Sequence, residues 1–404
     1  MKAVPLSQVC KLVNGGTPKS GVAEYWGGDV AWLTPAEMGK RSTPYISETA
    51  RNISRTGLAN CSAKQVPVGA VIMSTRAPIG HLAIPETPMA FNQGCRGLIP
   101  NDTLDTKYLY YFLWFSRDAL NELGTGATFK ELSSGALGNY SIPLPPIEEQ
   151  RRIVAVLDEA FAAIATATAN AEKNLANARE LFACTVEEML GRVADCQTMT
   201  LLAAADESCS LSYGIVQPGD EVPGGLAIVR PTDLQQKFIE LGPLKRIAPK
   251  LASAYQRTTL QGDELLLCVR GTTGTLSIAT PELAGGNVTR GIVPIRFNRA
   301  ILSQKLGYYL LLSASVQKQI KAATYGAALM QINIRDLKQL ELRVPPDAIQ
   351  VALTDRLDAV QSYVEQLQAN YSDKLEALAA LKQSILDRAF TGDLTASTPD
   401  LAIA

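Results

Sequence analysis

The chain has 404 residues, 47% hydrophobic and 19% charged, a soluble balance that is too long for one ordinary core and suits two or three domains. Its 38 basic and 39 acidic side chains leave a net charge of −1, which taken alone argues against a nucleic-acid partner. The aromatic apolar run at 108–115 is far short of the ~18 residues of a membrane span, and the opening Met1-Lys2-Ala3-Val4-Pro5 lacks an apolar stretch with a small-residue cleavage site, so a cytoplasmic protein with no membrane role is expected. Seven cysteines form no C-x-x-C pair and His81 is the single histidine; no zinc cluster can be completed, and buried reduced thiols are expected.

Taken in order, the first half opens with Gly15-Gly16-Thr17-Pro18 and then shows short apolar runs such as Ala70-Val71-Ile72-Met73, bounded by Gly and Pro, which read as buried strands. Residues 105–121 have helical Tyr and Leu spacing and precede a loop with Gly124-Thr125-Gly126. Leu144-Pro145-Pro146-Ile147-Glu148-Glu149-Gln150 then leads into about 40 residues without Gly or Pro, a helix signal with Pro at its start. The second half repeats this order. Glu264-Leu265-Leu266-Leu267-Cys268-Val269 is a strand, 303–321 is the equivalent helix before Tyr325-Gly326, and Val344-Pro345-Pro346 with Gln350 and Leu357-Asp358 matches the first copy at an offset of 200. Met73-Ser74-Thr75-Arg76 matches Leu267-Cys268-Val269-Arg270 at 194, Arg96-Gly97 matches Arg290-Gly291 at 194, and Trp32-Leu33-Thr34-Pro35 matches Ile228-Val229-Arg230-Pro231 at 196. Drifting offsets indicate loop insertions on a kept scaffold. The second copy lacks the Gly-Gly-Thr-Pro opening.

The second long helix places Leu353, Leu357, Val360, Val364, Leu367, Tyr371, Leu378, Leu381 and Ile385 at alternating steps of three and four, with a lapse at Lys374; the first places Leu157, Ala160, Ile164, Ala167, Ala171, Ala178 and Leu181 in the same register, with a lapse at Asn174. These are coiled-coil seams, one of them small, and they predict two helices paired antiparallel as a spacer. The fold class is therefore α+β: two similar mixed α/β domains at 1–144 and 193–344, long helices at 145–192 and 345–391 forming an antiparallel coiled coil, a tail at 392–404, and an internal pseudo-two-fold repeat. Residues 1–143 carry a net +3 and 195–345 a net +4, while the remainder carries −8; basic domains on an acidic spacer suit DNA phosphates, although a solvated acidic helix beside average domains gives the same numbers.

Motifs for chemistry are missing. The Pro-Pro pairs follow Leu144 and Val344 rather than the Asp or Asn of an amino-methyltransferase; the one Gly-Lys pair, Gly39-Lys40, is followed by Arg41 rather than the Ser or Thr of a phosphate-binding loop; and the D-x-K triplets at Asp105 and Asp336 sit at unrelated places in the two halves.

The run Ile142-Pro143-Leu144-Pro145-Pro146-Ile147-Glu148-Glu149-Gln150-Arg151-Arg152-Ile153-Val154, the C-terminal Ser384-Ile385-Leu386-Asp387-Arg388-Ala389-Phe390-Thr391-Gly392-Asp393-Leu394, the Ser74-Thr75-Arg76 turn and Gly126-Ala127-Thr128-Phe129-Lys130-Glu131-Leu132 together resemble the specificity subunits of Type I restriction-modification systems. The resemblance implies a non-catalytic subunit whose two target-recognition domains bind a bipartite, gapped site in double-stranded DNA and whose helices dock two modification (methyltransferase) subunits, with restriction or translocase subunits as further partners. It implies no cofactor in this chain: S-adenosylmethionine belongs to the modification subunits, and ATP and Mg to the restriction subunits.

Arg pairs with guanine and Asn or Gln with adenine at base edges, while phosphate contacts only position the protein. The expected DNA-binding residues are Arg76, Asn92, Gln93, Arg96, Thr128 and Lys130 in the first domain, and Arg230, Arg270, Thr272, Thr273, Asn287, Arg290, Tyr325 and Gln331 in the second. For the matched arginines Arg76/Arg270 and Arg96/Arg290 two readings stand side by side, a DNA contact or a fold-holding role. A rival for the whole chain is a structural coiled-coil adaptor whose domains bind proteins.

Overall fold

The computed structural model describes residues 2–392 and Leu394, apart from Ser42, Ala77, 127–129, Ala327 and Ala328, and for Arg179 the backbone alone. It divides into two compact units, Met1–Asn170 with Lys374–Ala404, and Ala171–Asp373. Each unit therefore contains one α/β domain, the N-terminal part of one long helix and the C-terminal part of the other.

In the first unit a five-stranded sheet runs in the order Cys10–Asn14, Cys95–Pro100, Val71–Thr75, Ile79–Pro85, Tyr45–Ile46, antiparallel except at the last strand. A three-stranded sheet of Asn52–Ile53, Trp26–Leu33 and Ala90–Phe91 adjoins it in the chain. The second unit has the shorter counterpart: Phe238–Ile239, Leu276–Ala279, Leu265–Cys268 and Ile292–Ile295 in one sheet, and Lys245–Ile247, Leu226–Val229 and Asn287–Val288 in another. The continuous apolar strands Val71–Thr75 and Leu265–Cys268 are buried at every position, as a central strand covered on both faces must be. Each expected domain helix is a pair of helices, Thr106–Phe115 with Arg117–Glu122 and Gln304–Leu312 with Ala314–Ala323, broken at Ser116 and Ser313.

The long helices span Ile147–Gly191 and Asp347–Thr391, 45 residues each and offset by 200. The sequence of buried, half-buried and exposed positions over 151–170 is reproduced over 351–370. In the first unit Ile153, Val154 and Leu157 share a core with Leu386, Ala389 and Phe390; in the second, Phe182, Val186 and Leu190 share one with Leu353, Leu357 and Val364. The start of one helix lies with the end of the other in both units, which is antiparallel pairing. Leu181 and Leu381, expected in the seam, are each 48% exposed, and the buried face moves to Phe182 and to Leu386. The reason is the partner: past these points a helix packs on a globular core, with Phe390 against Tyr108, Phe112 and Phe115 at 5.3–5.4 Å and Phe182 against Tyr309 at 5.8 Å, so the coiled-coil repeat no longer decides which side is covered.

The first long helix contains a window of mean hydropathy 1.4, enough by length and composition to pass as a membrane span. Alanine supplies much of that hydropathy, and Asp158 within the helix is bonded to the Tyr111 hydroxyl (2.6 Å) and to Lys107. The same device recurs in the second unit, where Asp358 accepts from Tyr309 and pairs with Lys305. A second repeated joint is a buried glutamine. Gln150 Oε1 accepts from the Asp105 N–H (2.8 Å), and its Nε2 donates to the carbonyls of Thr103 and Pro145 (both 2.9 Å). Gln350 accepts from the Ser303 N–H (3.2 Å) and donates to Ile301 (2.8 Å) and Pro345 (3.1 Å). One side chain thus satisfies the turn before the domain helix and the Pro-Pro turn before the long helix.

All seven cysteines are free thiols; Cys10, Cys95, Cys209 and Cys268 are buried, Cys61 and Cys196 are half-buried, and Cys184 is exposed, so the expectation of buried thiols holds for four. Burial pushes the Cys10 and Cys95 thiols up to about 12, which makes them unreactive. His81 packs over Gly39, with Nδ1 3.2 Å from the Pro35 carbonyl oxygen, a structural place.

Two outcomes follow from the joints. Gln350→Leu leaves one N–H and two carbonyls unpaired in a buried place and should lower unfolding free energy by about 2–4 kcal/mol, read by denaturant unfolding; unchanged stability would refute the clamp. Burial opposes ionisation of Asp358, but hydrogen bonds from Lys305 and Tyr309 and the charges of Lys305 and Lys237 outweigh it and lower its pKa. A lowered folded pKa gives stability that is present above the unfolded value of about 3.9 and is lost as pH falls through the folded one. Asp358→Asn should therefore melt earlier than the unaltered protein at neutral pH, and the difference should close as the pH drops below about 4.

Candidate nucleic-acid interface

In the first unit the Gly-Gly-Thr-Pro segment is held by two indoles. Trp32 Nε1 donates to the Gly16 carbonyl (2.9 Å) and Trp26 Nε1 to the Lys19 carbonyl (3.3 Å); the rings meet edge to face at 5.2 Å, and the Arg51 guanidinium lies 3.9 Å from the Trp26 centroid. The Gly16 N–H donates to the Phe91 carbonyl, and a Cβ on Gly15 would sit 2.1 Å from the Asn92 carbonyl oxygen. This close approach sets Thr17 beside Asn92, whose Nδ2 donates to Thr17 Oγ1 (3.0 Å), and beside Gln93, whose Oε1 accepts from the same hydroxyl.

The second unit makes the same approach with other letters. The Ile215 N–H donates to the Val288 carbonyl, and a Cβ on Gly214 would lie 1.8 Å from that oxygen. Gly214 therefore stands where Gly15 stands, and the opening that looked missing from the second copy keeps one of its two sterically hemmed glycines; Ile215 takes the place of Gly16, on which a Cβ would lie 2.3 Å from the Ala63 nitrogen.

Strand register corrects one sequence match. Met73 lies opposite Arg96, whereas its counterpart Leu267 lies opposite Val293. The Thr75 N–H donates to Gly94 and the Val269 N–H to Gly291. Gln93-Gly94 is therefore equivalent to Arg290-Gly291 at an offset of 197, and Arg96 and Arg290 are not counterparts. Arg76 and Arg270 are: each forms a bridge to the residue 200 apart, Glu131 and Gln331, and the Leu132 and Ile332 N–H groups donate to Thr75 and Val269. The following loops turn at Gly126 (φ +124°) and Gly326 (φ +114°).

The expected contact residues fall into three groups. Exposed at these loops are Gln93, Lys130, Thr272, Arg290 and Tyr325; Arg290 lies 5.7 Å from the Tyr213 ring, and the Tyr325 hydroxyl donates to Asn333 (2.6 Å). Half-buried are Asn92, Thr273, whose hydroxyl accepts from Thr324 (3.2 Å), Gln331, Arg76 and Arg270. Turned to structural work are three. Arg96, with a side chain 13% exposed, donates to Ser134 Oγ (2.8 Å) and to the Gln93 carbonyl (3.0 Å). Arg230 caps its own turn through Asp233, at 2.9 Å between the charged groups. Asn287 is fully buried, accepting from Thr258 (2.8 Å) and donating to the Tyr255 carbonyl (3.1 Å); a side chain with its polar atoms spent in the core has none for a base edge, so this assignment is withdrawn. Thr128 lies outside the described residues.

Lys318 and Lys321, which are not among the expected contact residues, line a groove of about 420 Å³ with Thr273, Gln317, Thr324 and Met330. Their three-residue spacing on an amphipathic helix was the available signal. Among the described residues no group of three or more His, Cys, Asp or Glu is placed to hold a metal ion.

A family model described as the type I restriction modification DNA specificity domain matches residues 1–175 and 220–377. The type I restriction enzyme MjaIX specificity subunit of Methanocaldococcus jannaschii is 37% identical over 154 residues, 38% of this chain and 36% of that protein, so the match spans little more than a third of that relative. The EcoBI specificity subunit of Escherichia coli is 25% identical over 342 residues, 78% of this chain and 72% of that one. A solved structure from work on complex assembly and conformational transition of the type I R-M system shares the fold with a TM-score of 0.75, 19% identity and coverage of 97% of this chain and 98% of that chain. The HsdS subunit from Thermoanaerobacter tengcongensis does so with a TM-score of 0.52, 20% identity and 97% coverage of both.

If Gly214 is the counterpart of Gly15, Gly214→Ala must push the 213–217 segment off Val288. The expected result is a lowered melting temperature and altered fluorescence or exchange in that segment, whereas Gly242→Ala, where a Cβ meets nothing within 4 Å, should be neutral.

Proposed function

This chain belongs to the type I restriction-modification DNA specificity domain family, and we infer from that membership that it selects the DNA sequence for a type I restriction-modification complex. One observation carries the reading: two units build the same loop frame, closed by Gly15 and Gly214 and by Arg76 and Arg270, and present different side chains from it. Gln93 answers to Arg290 and Glu131 to Gln331. A shared frame with unlike tips is what reading two different half-sites of a bipartite target requires.

In this reading the chain is non-catalytic and works in the cytoplasm on double-stranded DNA. Two modification subunits dock on the paired helices and bring S-adenosylmethionine; restriction subunits bring ATP and Mg. Each 45-residue helix is about 68 Å long at ~1.5 Å per residue, and serves as the spacer that fixes the gap between half-sites. The base readers are the exposed tips, Gln93 and Lys130 in one half and Thr272, Arg290 and Tyr325 in the other, with Asn92, Thr273 and Gln331 behind them. An adaptor binding only proteins has no use for two differing tips on one frame.

Methylated positions mapped in the host genome with and without this chain should differ by one split motif; an unchanged map would overturn the reading. Within the complex, Arg290→Ala should relax preference at one position of one half-site by about 1–3 kcal/mol, and Gln93→Ala should do so in the other half-site, as read from the two variants' methylation motifs.

A further inference from the structure

Arg76 and Arg270 are equivalent in the backbone and opposite in their electrostatic surroundings. Arg76 Nη1 lies 3.8 Å from Glu131 Oε2, and Glu131 also reaches Arg96 at 3.8 Å. That carboxylate sits between two guanidinium groups and partly neutralises both. At the position of Glu131 the second unit has Gln331, and at the register position of Arg96 it has Val293. The cluster has lost its acid and one of its bases, but not Arg270.

The consequence is visible in the bonding. Arg270 Nε is buried with no hydrogen-bond partner, and among the described residues its guanidinium has no ion pair. Arg270 as a whole is half-buried, but a buried guanidinium N–H without an acceptor is costly, and such a cost persists where an acceptor arrives from outside. The neighbouring change favours an anion, since Gln331 brings a neutral amide where the first unit brings a carboxylate. Three residues beyond Arg270, Thr273 lines a groove with the exposed Lys318 and Lys321.

Resting on the DNA-reading function above, we propose that Arg270 is a phosphate-binding residue of the second domain, and that its counterpart Arg76 holds the fold of the first domain by pairing with Glu131. The two matched arginines thus divide the two roles between them. The charge change that divides them is the replacement of Glu131 by Gln331.

The test uses the complete complex with its modification subunits and two labelled duplexes, one carrying the methylation-mapped target and one with both half-sites scrambled. Arg270→Ala should weaken binding to both duplexes by a similar factor, roughly tenfold for a charge-assisted bond, and reduce the magnitude of the log–log salt slope by about 0.9. Arg76→Ala should lower the melting temperature and leave the salt slope unchanged. Gln331→Glu, which gives Arg270 the partner that Arg76 has, should raise thermal stability while weakening DNA binding, a combination a mere folding defect cannot produce. If the unaltered complex binds its target while Arg270→Ala keeps the full affinity and slope, the phosphate role is overturned and the specificity reading stands. Loss confined to the target duplex would make Arg270 a base reader and also overturn it. If the unaltered complex does not prefer the mapped duplex, the specificity reading fails, and the proposal with it.

Discussion

The buried amide of Gln150, and its repeat at Gln350, is the joint on which the arrangement depends. A Pro-Pro turn exposes carbonyls that have no N–H neighbours, and the first turn of a helix exposes N–H groups that have no carbonyls. One primary amide carries both a donor and an acceptor end, so a single buried side chain can close both deficits at once. A hydrophobic residue would fill the space and leave three polar groups stranded. The Lys-Tyr-Asp cluster about two turns further along fixes the remaining freedom, since it pins the domain helix to a second point on the long helix. Two fixed points turn a helix that follows a domain into a rigid extension of it.

That rigidity matters because sequence reading is a matter of register. A side chain can discriminate bases only if its backbone is held to a fraction of an ångström, and both units spend glycine and asparagine contacts on holding short segments still, the first unit adding indole contacts. In the first unit the Trp26 and Trp32 indoles do this by gripping carbonyls of the 16–19 segment. In the second the approach of Gly214 to Val288 does it with no tryptophan nearby. The frame is conserved in its steric demand and free in its decoration, which lets one half change its tips without disturbing the other.

The long helices show the same separation. Over 151–170 and 351–370 the buried positions coincide, because both segments pack alike against a partner helix and the same glutamine and aspartate joints. Beyond 181 and 381 each helix meets a globular core, and the large aromatic and aliphatic side chains Phe182, Val186, Leu386 and Phe390 set the buried side. A heptad rule derived from helix pairing cannot foresee that change, since it contains no information about the domain that the helix end will reach.

The sequence by itself determined the duplication, the two long helices with their shared limits, the acidic spacer beside basic domains and the family, because these rest on local propensity, periodicity and motifs that do not depend on distant contacts. Only the tertiary structure decided which matched residues are equivalent and what they do. A sequence match slides without cost by three residues, as Arg96 and Arg290 did, whereas a hydrogen-bonded ladder cannot; Gly94 and Gly291 are fixed by the N–H groups of Thr75 and Val269. Burial likewise took Asn287 out of reach of DNA, and the presence of Glu131 or Gln331 beside an arginine separated two side chains that look the same in the sequence. Charge and exposure at a point in space are sums over neighbours from remote parts of the chain, and those neighbours exist only after folding.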